Sequence, residues 1–263
     1  MLDNVAFVPA RAGSKRIRLK NVRPLGGHPL LAYAVTAAID SRMFDRVVCS
    51  TDSLVIAQIA KHYGAEPLIR PASMATSSSP DIEWVRHALQ AHHCETFNIV
   101  RPTSPFRRAE TIRRAMIAWK SSNGYDSLRA VERVTQHPMK MWVVRFGTLH
   151  PLIPFGPEQQ PWHSSQTATL PDIFVQNAAL EIAWTKTVGQ MGTIAGERIM
   201  PFFTSEEEGF DINYPRDWTE AEGMVDLLPE INREPWAFDK KGIEQLAGDA
   251  QIDLEAEGVE WYA

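Results

Sequence analysis

The stretch VAFVPARAGSKRIRLKN, residues 5–21, decides the fold. Its first five residues form a short apolar run, the pattern of a buried strand. The next eleven hold five cations, Arg11, Lys15, Arg16, Arg18 and Lys20, and a single glycine. Residues 30–39, LLAYAVTAAI, then read as a buried helix. A strand, a polar turn and an apolar helix open an α/β unit.

Outward from this unit the same rhythm repeats. Strands are expected over 46–50, 66–69, 97–100 and 126–134, and helices over 54–63, 82–92 and 109–120. Strands alternating with helices of this length imply parallel pairing with right-handed crossovers. Ligands in such sheets bind beyond the carboxyl ends of the strands. The loops after the first, third and fourth strands are therefore the places to look. From about residue 136 the pattern changes. Strands are expected over 140–145 and 178–185, separated by a long segment, 150–174, rich in Pro, Gln, Ser and Thr. A loop of that length is more often functional than idle. A helix is expected from about 215 to 228, and residues 229–263 read as an acidic extension, either a helix or a loose tail.

The 263 residues are 44% hydrophobic and 22% charged, which suits a globular chain with a sizeable core. A net charge of −5 argues against a nucleic-acid partner. Two cysteines, Cys49 and Cys94, are too few for a disulfide framework or a cysteine-built zinc site. No apolar run reaches the roughly 18 residues of a membrane span. The expectation is a cytoplasmic chain with no membrane partner.

The basic turn is the first chemical signal. A triphosphate needs backbone N–H donors at close range and cations to spread its charge. Gly13 permits close approach, Ser14 offers a short donor, and Arg11, Lys15 and Lys20 can reach phosphate oxygens. Neither G-x-x-x-x-G-K-[ST] nor G-x-G-x-x-G is present, so this is a different phosphate loop. The absent glycine fingerprint also removes support for a dinucleotide-dependent oxidoreductase. A merely solvated basic turn is the competing reading.

The segments PARAGSKRIRLKN (9–21), FDRVVCSTD (44–52), RP (70–71), RPTSPFR (101–107), HPMK (137–140) and FDIN (210–213) together resemble the acylneuraminate cytidylyltransferases, the CMP-sialic acid synthetases and their relatives. The resemblance runs over about residues 4–228. It implies a Rossmann-like, mostly parallel sheet flanked by helices. A small dimerisation element, here about 136–176, would reach into the partner's active site in a homodimer. It implies attack of a sugar acid's anomeric hydroxyl on the α-phosphorus of CTP, with Mg2+ as cofactor and pyrophosphate leaving. By motif position, Arg11, Ser14, Lys15, Lys20 and Asn21 match the triphosphate and nucleotide loop, and Arg70 and Ser79 lie near the cytidine. Asp81, Arg101, Thr103, Ser104, Lys140 and Asn177 fall where the sugar acid is held. Asp211 and Asn213 occupy the two metal positions, with Arg11, Lys15, Lys20 and Asp211 as the catalytic set.

Four departures follow from the same comparison. Relatives often show an acidic residue soon after the Arg-Pro pair, whereas here Thr76-Ser-Ser-Ser79 intervenes before Asp81. Asn213 stands where relatives carry a second aspartate. Gln166, Thr167 and Val175 stand where relatives carry arginines. Arg101 stands where relatives often carry glutamine, so it is expected to take over the sugar-acid carboxylate. Taken on their residues alone, several positions stay open. Asp52 reads as a helix cap or a group near the nucleotide, Asp81 as an N-terminal helix residue or a substrate contact, and Arg101 as a salt bridge or a ligand. Asp211 alone could simply end a strand. Competing functions are a same-fold transferase for an eight-carbon sugar acid or a phosphonate, and a nucleotide-binding protein without turnover.

Overall fold

A computed structural model describes residues 4–205 and 207–252. Seven strands form one sheet: β1 (Asn4–Pro9), β2 (Arg46–Thr51), β3 (Glu66–Ile69), β4 (Thr96–Ile99), β5 (Ser127–Arg133), β6 (Phe174–Trp184) and β7 (Ile199–Phe203). Their order across the sheet is β7-β5-β6-β4-β1-β2-β3. β1 pairs in parallel with β2 and β4, β2 with β3, and β5 with β7. Only β6 runs against its neighbours. The sheet is thus the mostly parallel, Rossmann-like one expected.

Helices α1 (Leu30–Ser41), α2 (Leu54–His62), α3 (Asp81–Ala91), α4 (Ala109–Ser121), α5 (Thr185–Gln190), α6 (Pro215–Gly223) and α7 (Lys240–Ala250) cover the sheet. Ten of the twelve residues of α1 are buried, so it lies within the core rather than on it. That fits its run of alanines, which let helices and strands approach closely. The core has two large apolar clusters. One gathers α1, α2 and α4 with β1, β2, β5 and β6. The other sets Trp84, Val85 and Ala88 of α3 against Val5, Phe7, Phe97 and Ile99. Cys49 is fully buried in the first, as its apolar context implied.

Several expectations shift. The first helix of the last third stops at Gly223, followed by a short 3-10 turn. Residues 199–203 form β7, which went unread because Met200-Pro201 lacks alternation. Lys140 ends a 3-10 turn, and the strand begins only at Trp142. Trp142–Arg145 and Thr148–Pro151 form a separate hairpin whose tip, Phe146-Gly147, has positive φ at both residues. Trp142, which opens the hairpin, is 41% exposed. Within the expected C-terminal extension, α7 buries Ile243 and Leu246 in the main core. Residues 253–263 of that extension lie outside the described residues.

Candidate active site

A cleft of about 500 Å³ opens where the carboxyl ends of β1, β3 and β4 meet. Small-molecule sites span roughly 300–1,000 Å³. Three loops line it. The turn after β1 contributes Arg11, Ser14, Lys15, Arg16, Lys20 and Asn21; the loop after β3 contributes Arg70, 74–77 and Ser79; the turn after β4 contributes Arg101, Pro102 and Thr103. Asp81 and Trp84 of α3 complete it. These are the three loops that the strand pattern marked.

The basic turn is held open from behind. The Asn21 side chain donates to the Arg11 carbonyl at 2.9 Å, bridging the two ends of the turn. The Ala12 amide donates to Asp52 Oδ1 at 3.0 Å. Asp52 is therefore neither a helix cap nor a cleft residue. Ser53 caps α2 instead, accepting from the Ile56 amide. Arg11 donates to the carbonyls of Ala75 and Thr76, tying the turn to the loop after β3. Ser79 ties that loop to itself, donating to the Ser73 carbonyl at 2.8 Å and meeting the Thr76 hydroxyl at 2.6 Å. Arg16 stacks over the Tyr214 ring at 4.8 Å.

Arg70 is the most buried cation lining the cleft, 5% exposed. Its Nε and Nη1 have no hydrogen-bond partner among the described residues. Its guanidinium lies 5.7 Å from the Trp84 ring centre. Burial lowers its pKa, partly offset by Asp52. A buried donor without an acceptor is costly, so these N–H groups stand out beside the cleft.

Asp211 sits beside the basic turn. Lys20 Nζ donates to the Ile212 carbonyl at 2.7 Å, and the Ile212 amide donates to the Thr103 carbonyl at 2.9 Å. Ile212, fully buried among Ile17, Leu25 and Phe106, thus joins the basic turn, the turn after β4 and the Asp211 loop. Burial pushes the Lys20 ammonium down to about 8, against the attraction of Asp211. Asp211 Oδ2 accepts from the Asn213 amide at 2.5 Å, while its buried Oδ1 has no partner among the described residues. The Asn213 backbone is fixed in turn by Asp217, which accepts from its amide at 2.8 Å.

On the acceptor side Arg101 is already paired. It donates to Glu181 Oε1 from Nε and Nη2 at 3.0 and 2.7 Å, and to Asp81 Oδ2 from Nη2 at 2.6 Å. Burial alone would raise the Asp81 pKa; the Arg101 charge and hydrogen bond, with the Trp84 indole, hold it below the usual carboxylate range. The salt-bridge reading of Arg101 is the one its contacts show, and the residue also lines the cleft.

Five expected residues are not part of the cleft lining: Asp211 and Asn213, placed above, and Ser104, Asn177 and Lys140. Ser104 is fully buried, its hydroxyl unpartnered among the described residues. Asn177 sits in a bulge of β6, donating to Glu132 at 2.9 Å and to Thr204 at 2.8 Å. Lys140 donates to the Ser165 carbonyl at 2.6 Å at the foot of the exposed hairpin.

The sequence reading missed Arg107, which is fully buried without a counter-ion among the described residues. Its Nη1 donates to the carbonyls of Arg101 and Ala179 at 3.0 and 2.8 Å, fastening the turn after β4 to the β6 bulge. Burial brings its pKa down to about 9. Its only local signal was a second arginine closing RPTSPFR.

Residues 5–141 match the family model described as cytidylyltransferase. The chain is 33% identical over 237 residues to a CMP-N,N'-diacetyllegionaminic acid synthase of Legionella pneumophila, covering 88% of this chain and 97% of that one. It is 40% identical over 130 residues to an N-acylneuraminate cytidylyltransferase of Escherichia coli; that match spans 49% of this chain and only 31% of the E. coli protein. Among solved structures it resembles a CMP:2-keto-3-deoxy-manno-octonic acid synthetase complexed with CTP, with a TM-score of 0.64 at 10% identity over 85% of this chain and 98% of that chain. The cationic turn, the conjunction of Asp211 with it, and these similarities lead to one conclusion: this chain belongs to the cytidylyltransferase family.

Proposed function

We propose that the chain activates a nonulosonic acid with CTP, forming the CMP-sugar acid and pyrophosphate. One observation carries the proposal. Ile212 joins the Asp211 loop to the basic turn, so a metal-binding carboxylate would lie beside the cations that neutralise phosphate charge. The similarity to the Legionella synthase over nearly its whole length supports the acceptor class.

Nucleotidyl transfer depends mainly on positioning and charge neutralisation. Lys15, Lys20 and Arg11 would meet the β- and γ-phosphates, with the N–H groups of the turn supplying further donors. Arg70 would place its free N–H groups toward the nucleoside, next to Ser79. Arg101, Asp81 and Thr103 would orient the acceptor so that its anomeric oxygen bonds to the α-phosphorus as the bond to pyrophosphate breaks. The residues fit a divalent ion. The orphaned, buried Oδ1 of Asp211 is a hard oxygen ligand awaiting a cation, and Asn213 can add an amide oxygen. Mg2+ bound there would supply Lewis-acid polarisation of the α-phosphate.

We further propose a homodimer. The hairpin exposes Val144 (68%), Phe146 (106%) and Leu149 (58%), and Phe155 (70%) follows it. Such a contiguous apolar surface marks an interaction site. Lys140, at its base, would then serve the partner's cleft. Two cysteines outside any disulfide and the proposed use of CTP suit the cytoplasm. Among the described residues no helix is long and apolar enough to cross a membrane.

The test is a pyrophosphate-release screen of the four common ribonucleoside triphosphates against nonulosonic acids, an eight-carbon sugar acid and a phosphonate, with Mg2+. Release with CTP and a nonulosonic acid is expected. Turnover confined to the eight-carbon acid or the phosphonate would move the acceptor class. CTP binding with no release on any acceptor would leave only a nucleotide-binding protein.

A further inference from the structure

Four charged side chains form one network along the acceptor wall. Glu181 and Arg129 stand directly opposite each other on β6 and β5, and their side chains pair. Opposite charges at cross-strand positions are natural partners. Both side chains are almost wholly buried, 4% and 8% exposed. The other cross-strand neighbour of Glu181 is Ile99, two residues before Arg101. Arg101 and Asp81 form the outward half of the network, their side chains 26% and 37% exposed.

The pairing is not symmetric. Arg129 grips Glu181 through Oε2, and its Nη2 donates to the Ile194 carbonyl at 3.1 Å. Arg101 uses the other oxygen, Oε1. If Arg101 swings away, Glu181 keeps one cation and Asp81 keeps the Trp84 indole at 2.8 Å. Neither carboxylate is stranded. Without Arg129 the situation inverts. Glu181 would be a buried carboxylate whose one cation is Arg101, and releasing it would leave an unpaired charge in the interior.

We propose that Arg129 is a positioning residue that holds Glu181 so that Arg101 can turn and clasp the carboxylate of the incoming sugar acid. The inference rests on the acceptor class proposed above. Arg101 has the geometry for the task. Its Nη1 takes no partner among the described residues, and a guanidinium meets a carboxylate through two parallel N–H donors. No covalent step is involved; one carboxylate replaces another on the same guanidinium.

The experiment measures KM for the sugar acid, KM for CTP and calorimetric binding of the sugar acid in wild type, Arg129→Leu, Glu181→Gln and the double variant. Arg129→Leu is expected to raise the sugar-acid KM about tenfold or more, with the CTP value within about twofold. Glu181→Gln releases Arg101 and is expected to lower the sugar-acid KM. The double variant returns to within about threefold of wild type, because the stranded carboxylate is gone. A purely structural role for Arg129 gives no such rescue. An unchanged sugar-acid KM in Arg129→Leu, or a double variant as weak as the single one, overturns the inference. Should Arg129→Leu fail to fold, Glu181→Gln decides alone: a tenfold weaker sugar acid rejects the mechanism. Wild type that releases pyrophosphate while these variants fail the pattern leaves the proposed function standing; wild type inert and without affinity for every acid removes both.

Discussion

At the scale of single residues, the site was legible where its chemistry is dense and local. Five cations in eleven residues directly after a strand can be read without a structure, and ten of the fifteen expected positions line one cleft. Arg107, Glu181 and Arg129 were not legible as parts of the site. Each is a lone charge in or beside an apolar run, and only strand register or a bulge shows what it faces. Glu181 meets Arg129 because β5 and β6 pair at that register, which no spacing along the chain encodes. Arg101 yields the first prediction. Arg101→Ala should raise the KM of the sugar acid about tenfold or more while leaving CTP affinity nearly intact; steady-state kinetics with each substrate varied will show it, and equal loss for both would place Arg101 in general scaffolding. Lys20→Met should weaken CTP by about tenfold or more without altering sugar-acid binding, since it removes a charge held at the phosphate end; calorimetry with CTP alone is the check.

At the scale of elements, the segment that carries Asp211 depends on a clamp. Glu208 accepts from Thr111 at 2.5 Å and from Arg114 at 2.5 and 2.6 Å, fastening residues 207–210 to α4. Burial alone would raise the Glu208 pKa. Hydrogen bonds from Arg114, Thr111 and the Ser205 amide override it and bring it from 4.5 to about 2. A carboxyl with a depressed folded pKa stabilises fully above its unfolded value and loses that contribution as pH falls toward the folded one. Glu208→Gln should therefore lower Tm at pH 7, and the gap from wild type should close between about pH 4.5 and 2. Thermal melts over that range measure it; a gap independent of pH would show that the ion pair is not its source. This segment also shows why element limits were hard to read. β6 was expected from 178 and starts at Phe174, because Gln176 and Asn177 look like loop residues until the bulge and the Glu132 and Thr204 contacts give them a place.

At the scale of the molecule, the alternation of strands and helices foretold the parallel sheet and the end of it that holds the cleft. It could not foretell that β6 inserts antiparallel between β4 and β5, since that depends on which edge the chain returns to. The C-terminal helix was equally hidden: only Ile243, Leu246 and Ala247 of its eleven residues are buried, too sparse a stripe to declare itself in an acidic stretch. Leu246→Ala should cost about 2–5 kcal/mol if α7 is part of the folded core; denaturant unfolding will report the loss, and a change near zero would make the helix an ornament. If the proposed homodimer forms through the hairpin, Phe146→Glu at its tip should give a monomer in sedimentation equilibrium without lowering Tm, because the side chain is fully exposed in the single chain. The central claim is that the basic turn and Asp211 act on one triphosphate. It is tested most directly by the rate of pyrophosphate release from CTP and a nonulosonic acid in Mg2+, comparing wild type with Asp211→Asn. The account predicts release by wild type and a loss of about a hundredfold or more in the variant, with metal-free CTP binding retained. A variant that releases pyrophosphate at the wild-type rate would contradict it.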